Sequence, residues 1–206
     1  MKEQQPSPEN RFGFTRRRFL KGSGAAAAAT VLATSAGDAV ADDAGGEVIR
    51  GMTTITLNVN GEARSVEVEP RTTLLEVLRY QLDLTGAKPV SGDGSSGAST
   101  VLIDGRPVMA STTLALAVRG KTIETVESVS LRNSGAIPKA FSEHDAQQCG
   151  FCTPGFVVAV RAFLDKNPNA TEAEIRSGLN GNLCRCGTYA DMIPAVLSLV
   201  KGGSRG

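Results

Sequence analysis

All four cysteines of this 206-residue chain lie in two short segments. Cys149 and Cys152 sit in Gln148-Cys149-Gly150-Phe151-Cys152-Thr153-Pro154-Gly155, and Cys184 and Cys186 in Gly181-Asn182-Leu183-Cys184-Arg185-Cys186-Gly187. The pattern is C-x2-C, a gap of 31 residues, then C-x-C. Two close pairs of thiols, each beside a glycine, supply the soft donors of a four-ligand metal or iron–sulfur site. The glycines let backbone N–H groups approach the sulfurs. Other chemistries use the same residues. Two disulfides suit an even cysteine count in an exported chain, and they would cross between the segments because neighbours in C-x-C bridge only with strain. Structural zinc is a further reading. A thioredoxin-like pair at Cys149 and Cys152 lacks the preceding strand–helix context.

The wider motifs narrow the choice. QQCGFCTPGFVVA followed by GNLCRCGTY resembles the helical cluster-binding domain of the molybdenum hydroxylases, the xanthine dehydrogenase and aldehyde oxidoreductase group. The likeness is closest to their small iron–sulfur subunits and runs over almost the whole chain beyond its amino terminus. It implies that Cys149, Cys152, Cys184 and Cys186 are the metal ligands, holding the [2Fe–2S] cluster nearest the molybdopterin cofactor of a large partner subunit. It also implies that Gln148 contacts the pterin and that Cys186 lies beside the pterin amino group. Taken alone, Gln148 would be an ordinary polar surface residue. Arg185, between two ligands, is either a solvated charge or an influence on the cluster's potential.

The elements that position these residues can be read from periodicity. Ile55, Leu57 and Val59 alternate before Asn60-Gly61, and Val66 and Val68 follow, which predicts a hairpin. Thr72 or Thr73 can cap a helix with the stripe Leu74, Leu75, Val77, Leu78 and Leu82. Thr100–Ile103, Asp104-Gly105 and Pro107–Ala110 predict a second hairpin, and Ile123 with Val126 a further strand. The order is α+β and resembles the β-grasp domain of plant-type ferredoxins. Four helices are then expected, over 136–147, from Pro154 with the stripe Phe156, Val157, Val160, Phe163 and Leu164, from the capping box at Thr171, and over 191–200. The expected division is a linker at 42–52, a β-grasp ferredoxin-like domain at 53–128 and a small four-helix [2Fe–2S]-binding domain at 129–206.

One segment departs from the family. Between the first helix and the second hairpin the family carries C-x4-C-x2-C, with a fourth cysteine after the hairpin. Here those positions are Ser91, Ser96, Ser99 and Ser111. A serine hydroxyl is a hard oxygen ligand with a far higher pKa than a thiol, so four together do not hold a [2Fe–2S] cluster. The second cluster site is therefore expected to be empty. Without bound metal this glycine-rich loop is expected to be mobile.

The amino terminus reads as an address. Thr15-Arg16-Arg17-Arg18-Phe19-Leu20-Lys21 is a twin-arginine signal, an alanine-rich run follows from Ala25 to Ala36, and Ala39-Val40-Ala41 supplies a cleavage pattern. Residues 1–41 are expected to be a signal peptide for export of a folded, cofactor-loaded protein to the periplasm. The apolar run is too short for a membrane span. The remainder carries 16 basic and 18 acidic residues, a formal charge of −2, with no basic stripe to bind nucleic acid. His144 is the only histidine, which limits nucleophile–histidine catalysis to that residue. No P-loop or dinucleotide fingerprint is present.

The chain alone is not expected to be catalytic. The expectation is an electron-transfer subunit of a molybdenum-dependent aldehyde or heterocycle oxidoreductase, with one [2Fe–2S] cluster. Its partners would be a large molybdopterin-binding subunit and a flavin subunit or cytochrome acceptor. The alternatives are a structural subunit without electron transfer, or a periplasmic domain stapled by zinc or disulfides.

Overall fold

Strand β1 (Thr53–Val59) turns back through Asn60-Gly61 into β2 (Glu62–Val68), with Val59 opposite Glu62. Asn60 and Gly61 have φ of 54° and 84°, the left-handed pair that a two-residue hairpin turn with the right twist requires. Asp104-Gly105 repeats the device, with φ of 49° and 73°, between β3 (Thr100–Ile103) and β4 (Arg106–Met109). Strand β5 (Thr122–Glu124) enters between the hairpins, parallel to β1 and antiparallel to β3. The sheet order is β2-β1-β5-β3-β4. The computed structural model describes residues 48–201, so the signal segment 1–41 and the first part of the 42–52 linker lie outside the described residues.

Period-two burial puts Ile55, Leu57, Val59, Val66 and Val68 on one face of the sheet. The helix α1 (Leu74–Glu76) covers that face, capped by a reciprocal bond pair between Thr73 and Glu76. It loosens at once into a π-helical turn at Val77–Gln81, closed by Leu82 N–H to the Val77 carbonyl at 3.1 Å. The helix delivers Leu74 and Leu75 to the core and the turn Val77 and Leu78, while Leu82 is only partly buried.

Five further α-helices follow among the described residues: α2 (Val126–Val129), α3 (Ala136–Glu143), α4 (Thr153–Lys166), α5 (Glu172–Gly178) and α6 (Tyr189–Lys201). Their second core is built on Phe141, Phe156, Val160, Ile175, Met192 and Val196. Strand β3 serves both cores. Val101 and Ile103 belong to the sheet's core, whereas Leu102, pointing the opposite way, belongs to the helical one. A strand buried on both faces is a continuous apolar run, as Thr100-Val101-Leu102-Ile103 is.

Two expected boundaries move. Val126 begins a helix rather than extending a strand. Asn60 and Thr125 exchange two hydrogen bonds of 2.9 Å that end the strand, and Glu127 accepts from Gly86 N–H at 2.8 Å. The helix expected over 136–147 stops at Glu143, because Asp145 takes the left-handed φ of 52° that terminates it. Among the described residues no helix is long and apolar enough to cross a membrane.

Candidate metal centre

The cysteines sit at helix ends and in one loop. Cys152 is the residue before α4, and its carbonyl accepts the Phe156 N–H at 3.1 Å. Pro154 occupies the first turn of that helix, where its missing N–H costs nothing. Gly150 and Gly187 have φ of 76° and 80°, and a Cβ on either would meet nothing within 4 Å. These two glycines therefore supply backbone conformation rather than clearance. The Cys184 loop is fixed by Tyr189, whose hydroxyl accepts the Cys184 N–H at 2.6 Å and lies 3.4 Å from the Asn182 carbonyl. Its ring packs edge-on against Phe156 at 6.0 Å.

The sulfurs pair across the two motifs. Cys186 Sγ lies 3.6 Å from Cys149 Sγ. The Cys152 thiol hydrogen-bonds with Cys184, and the Thr188 hydroxyl donates to Cys184 Sγ at 3.2 Å. All four thiols are free. Sulfurs held at about 2.3 Å by one tetrahedral metal lie about 3.8 Å apart, whereas bonded sulfurs lie about 2 Å apart. The 3.6 Å pair thus has the spacing of two ligands on one metal. No three His, Cys, Asp or Glu side chains among the described residues close around a single ion.

Electrostatics differ between the pairs. Burial pushes the Cys152 thiol up to about 12, and its neighbours Cys184 and Cys149 push the same way. Burial also opposes ionisation of Cys184. The Thr188 hydroxyl and the N–H groups of Thr188 and Cys186 outweigh it and bring that thiol down to about 7. The Cys149 N–H favours ionised Cys186, but the Cys149 thiol and the charges of Cys149 and Cys184 hold Cys186 above its ordinary value. Backbone donors thus reach the sulfurs, as the neighbouring glycines led one to expect. Cys149 and Cys186 are exposed together with Gln148, Arg185, Phe151 and Leu183, so one edge of the constellation faces outward.

The serine segment folds directly against this centre. Ser91 and Ser96 hydroxyls lie 2.9 Å apart, as do those of Ser99 and Ser111. Ser96 N–H donates to Ser91 Oγ at 3.0 Å, and Ser111 N–H to Ser99 Oγ at 3.3 Å. Paired hydroxyls thus link the positions of this loop to one another. Its backbone reaches the cysteine loop, since Leu183 N–H donates to the Ser96 carbonyl at 2.9 Å and Asn182 Nδ2 to the Gly97 carbonyl at 2.9 Å. Lys88 Nζ stands 5.7 Å over the Phe151 ring. The sequence reading missed Thr188, Tyr189, Asn182 and Gly155 as parts of this arrangement. Asn182 and Gly155 meet the loop at Gly97 over long range, whereas Thr188 and Tyr189 reach Cys184 from four and five positions away, within the GNLCRCGTY segment. His144 caps α3 and is half-buried.

Comparison with known proteins agrees with this geometry. Residues 122–197 match the [2Fe–2S] binding domain, and residues 13–33 match the twin-arginine translocation pathway signal sequence. The nicotinate dehydrogenase small FeS subunit of Eubacterium barkeri is 43% identical over 72% of this chain and 95% of its own length. The aldehyde oxidoreductase iron-sulfur-binding subunit PaoA of Escherichia coli K12 is 37% identical over 88% of this chain and 86% of its own. Among solved structures, quinoline 2-oxidoreductase from Pseudomonas putida 86 superposes with a TM-score of 0.70 at 39% identity, over 75% of this chain and 96% of that one. Aldehyde oxidoreductase from Desulfovibrio gigas gives 0.67 at 34% identity, over 74% of this chain and 18% of that longer one. The chain is exported to the periplasm by the twin-arginine route and serves as a non-catalytic subunit of an oxidoreductase complex. It belongs to the small [2Fe–2S] iron–sulfur subunits of the molybdenum hydroxylases.

Proposed function

We propose that this chain is the electron-transfer subunit of a periplasmic molybdenum-dependent oxidoreductase acting on an aldehyde or heterocycle, and that it carries one [2Fe–2S] cluster. The observation that carries the reading is the pairing of sulfurs across the two motifs, Cys149 with Cys186 at 3.6 Å and Cys152 with Cys184. When bound, the group supplies one-electron carriage between the molybdopterin centre of a large partner subunit and an onward acceptor.

The chain's own residues then have separate tasks. Cys149, Cys152, Cys184 and Cys186 are the ligands. Gln148 and Cys186, both exposed, form the edge that meets the pterin of the large subunit. Phe151 and Leu183, 48% and 54% exposed beside the ligands, are the apolar contacts that exclude water when that subunit docks. The second family site is empty, because Ser91, Ser96, Ser99 and Ser111 satisfy one another as hydroxyl pairs. Onward transfer to a flavin subunit or cytochrome is therefore slow. Residues 42–52 act as a linker, 53–128 as a β-grasp domain and 129–206 as the helical cluster domain.

The test is iron and acid-labile sulfide per copy of this chain, purified with its large subunit, and the EPR spectrum after dithionite reduction. About two irons and one rhombic signal are expected. About four irons and two signals would overturn the reading of the serines. No iron would overturn electron transfer and leave a zinc or disulfide staple. Returning cysteine at all four serine positions (S91C, S96C, S99C and S111C together) is expected to raise iron to about four per chain.

A further inference from the structure

We propose that Thr188 is a positioning residue whose hydroxyl, by donating to Cys184 Sγ, raises the reduction potential of the group the four cysteines hold. The inference rests on the ligand reading above and goes beyond it, since Thr188 lies within the GNLCRCGTY motif but is not one of the four ligands.

Thr188 is 3% exposed, and its hydroxyl lies 3.2 Å from Cys184 Sγ as donor. Its carbonyl accepts the N–H groups of Asp191 at 3.2 Å and Met192 at 2.9 Å. Thr188 thus occupies the capping position of α6. A threonine there commonly turns its side-chain oxygen toward an N–H of the first helical turn. Here the hydroxyl proton is aimed at sulfur instead.

The surroundings hold that aim. The α6 residues Met192, Ile193 and Val196 are buried in the helical core, which fixes the backbone of Thr188. On the other side, Tyr189 receives the Cys184 N–H at 2.6 Å, which fixes the sulfur's own backbone. Burial removes the competition of water for the hydroxyl. Adding one electron to a thiolate-ligated group increases the negative charge on its sulfurs. A donor directed at a sulfur therefore stabilises the reduced form more than the oxidised form, and the potential rises. The Cys149 and Cys186 sulfurs lie at the exposed edge, so the hydroxyl acts on the inner pair.

The experiment is an EPR-monitored redox titration of the mature chain in its complex, comparing wild type, Thr188→Val, Thr188→Ala and Thr188→Ser, with iron per chain measured on each. Valine keeps the shape and removes the donor. The expected result is a lower midpoint potential for T188V and T188A and a wild-type midpoint for T188S. The EPR signal reports only chains that carry the group, so partial loading does not obscure the reading. An unchanged midpoint in T188V or T188A overturns the proposal. Complete loss of iron from both, with T188S loaded, makes the residue structural and also overturns it. Absence of iron from the wild type would instead overturn the ligand assignment, a distinct outcome.

Discussion

Gly155 offers a sharp test because two ordinary effects oppose each other there. It is the third residue of α4, where alanine would favour the helix by about 1 kcal/mol. A Cβ at this position, however, would lie 2.5 Å from the Gly97 carbonyl oxygen, 3.1 Å from Ala98 Cα and 3.3 Å from Asn182 Nδ2. Close carbon–oxygen contacts stop at about 3.3 Å, so the overlap is about 0.8 Å. That oxygen cannot simply retreat. It accepts from Thr100 N–H at 3.2 Å, Thr100 Oγ1 at 2.5 Å and Asn182 Nδ2 at 2.9 Å. Overpacking costs about 1–3 kcal/mol, and breaking one of these bonds about 1 more. Gly155→Ala is therefore expected to destabilise the chain by about 2 kcal/mol net of the helix term, lowering a urea midpoint by about 1 M. Gly181→Ala is the control, since its Cβ would meet nothing within 4 Å, and a change within about 0.5 kcal/mol is expected. The assay is urea unfolding of the mature protein at equal iron content. A G155A variant as stable as wild type, or more stable, would refute the packing argument. Because the Ser96–Leu183 bond lies one residue from Cys184, G155A is also expected to lose iron faster on challenge with a chelator.

Two titration predictions accompany this one. The Glu76 carboxylate accepts the Thr73 N–H and hydroxyl, which lowers its pKa from the ordinary 4.5. A lowered carboxylate favours folding above the unfolded value and loses that contribution as pH falls through the folded one, so Glu76→Gln costs stability at pH 7 and its deficit shrinks below about pH 4. Glu174, held by Thr171 in the same way, is expected to behave alike, and thermal unfolding with a pH-independent deficit would refute the cap argument. In the metal-free chain, Cys184 near 7 and Cys152 near 12 predict that iodoacetamide at pH 7.5 labels Cys184 before Cys152. Peptide mass mapping that finds Cys152 modified before Cys184 would contradict the Thr188 hydrogen bond as the cause.

Elements closed by local chemistry were legible before the fold was seen. Asn60-Gly61 and Asp104-Gly105 marked both hairpins because few residue pairs tolerate two left-handed φ values in succession. Thr171 and Glu174 announced α5 through a capping box that spans only three residues. Val126 misled because β-branched side chains favour strands, and the Asn60–Thr125 bonds that end the strand join residues 65 positions apart. Asp145 misled because nothing beside it signalled that the chain would turn left-handed there.

The cysteine spacing by itself made a soft four-donor site one reading among disulfides and zinc, and the twin arginines defined the export route. Which sulfur pairs with which was decided by tertiary structure. The shared helical core, with Phe156 edge-on against Tyr189, brings Cys149 to Cys186 across 37 positions. The same holds for the hydroxyl pair Ser99–Ser111 and for the bare Gly155 surface under Gly97, whereas Thr188–Cys184 and Ser91–Ser96 are local contacts set by loop conformation. Spacing along a chain specifies which donors are available. Their distances, burial and neighbours come from cores that assemble residues far apart in sequence, and local pattern carries no record of those contacts.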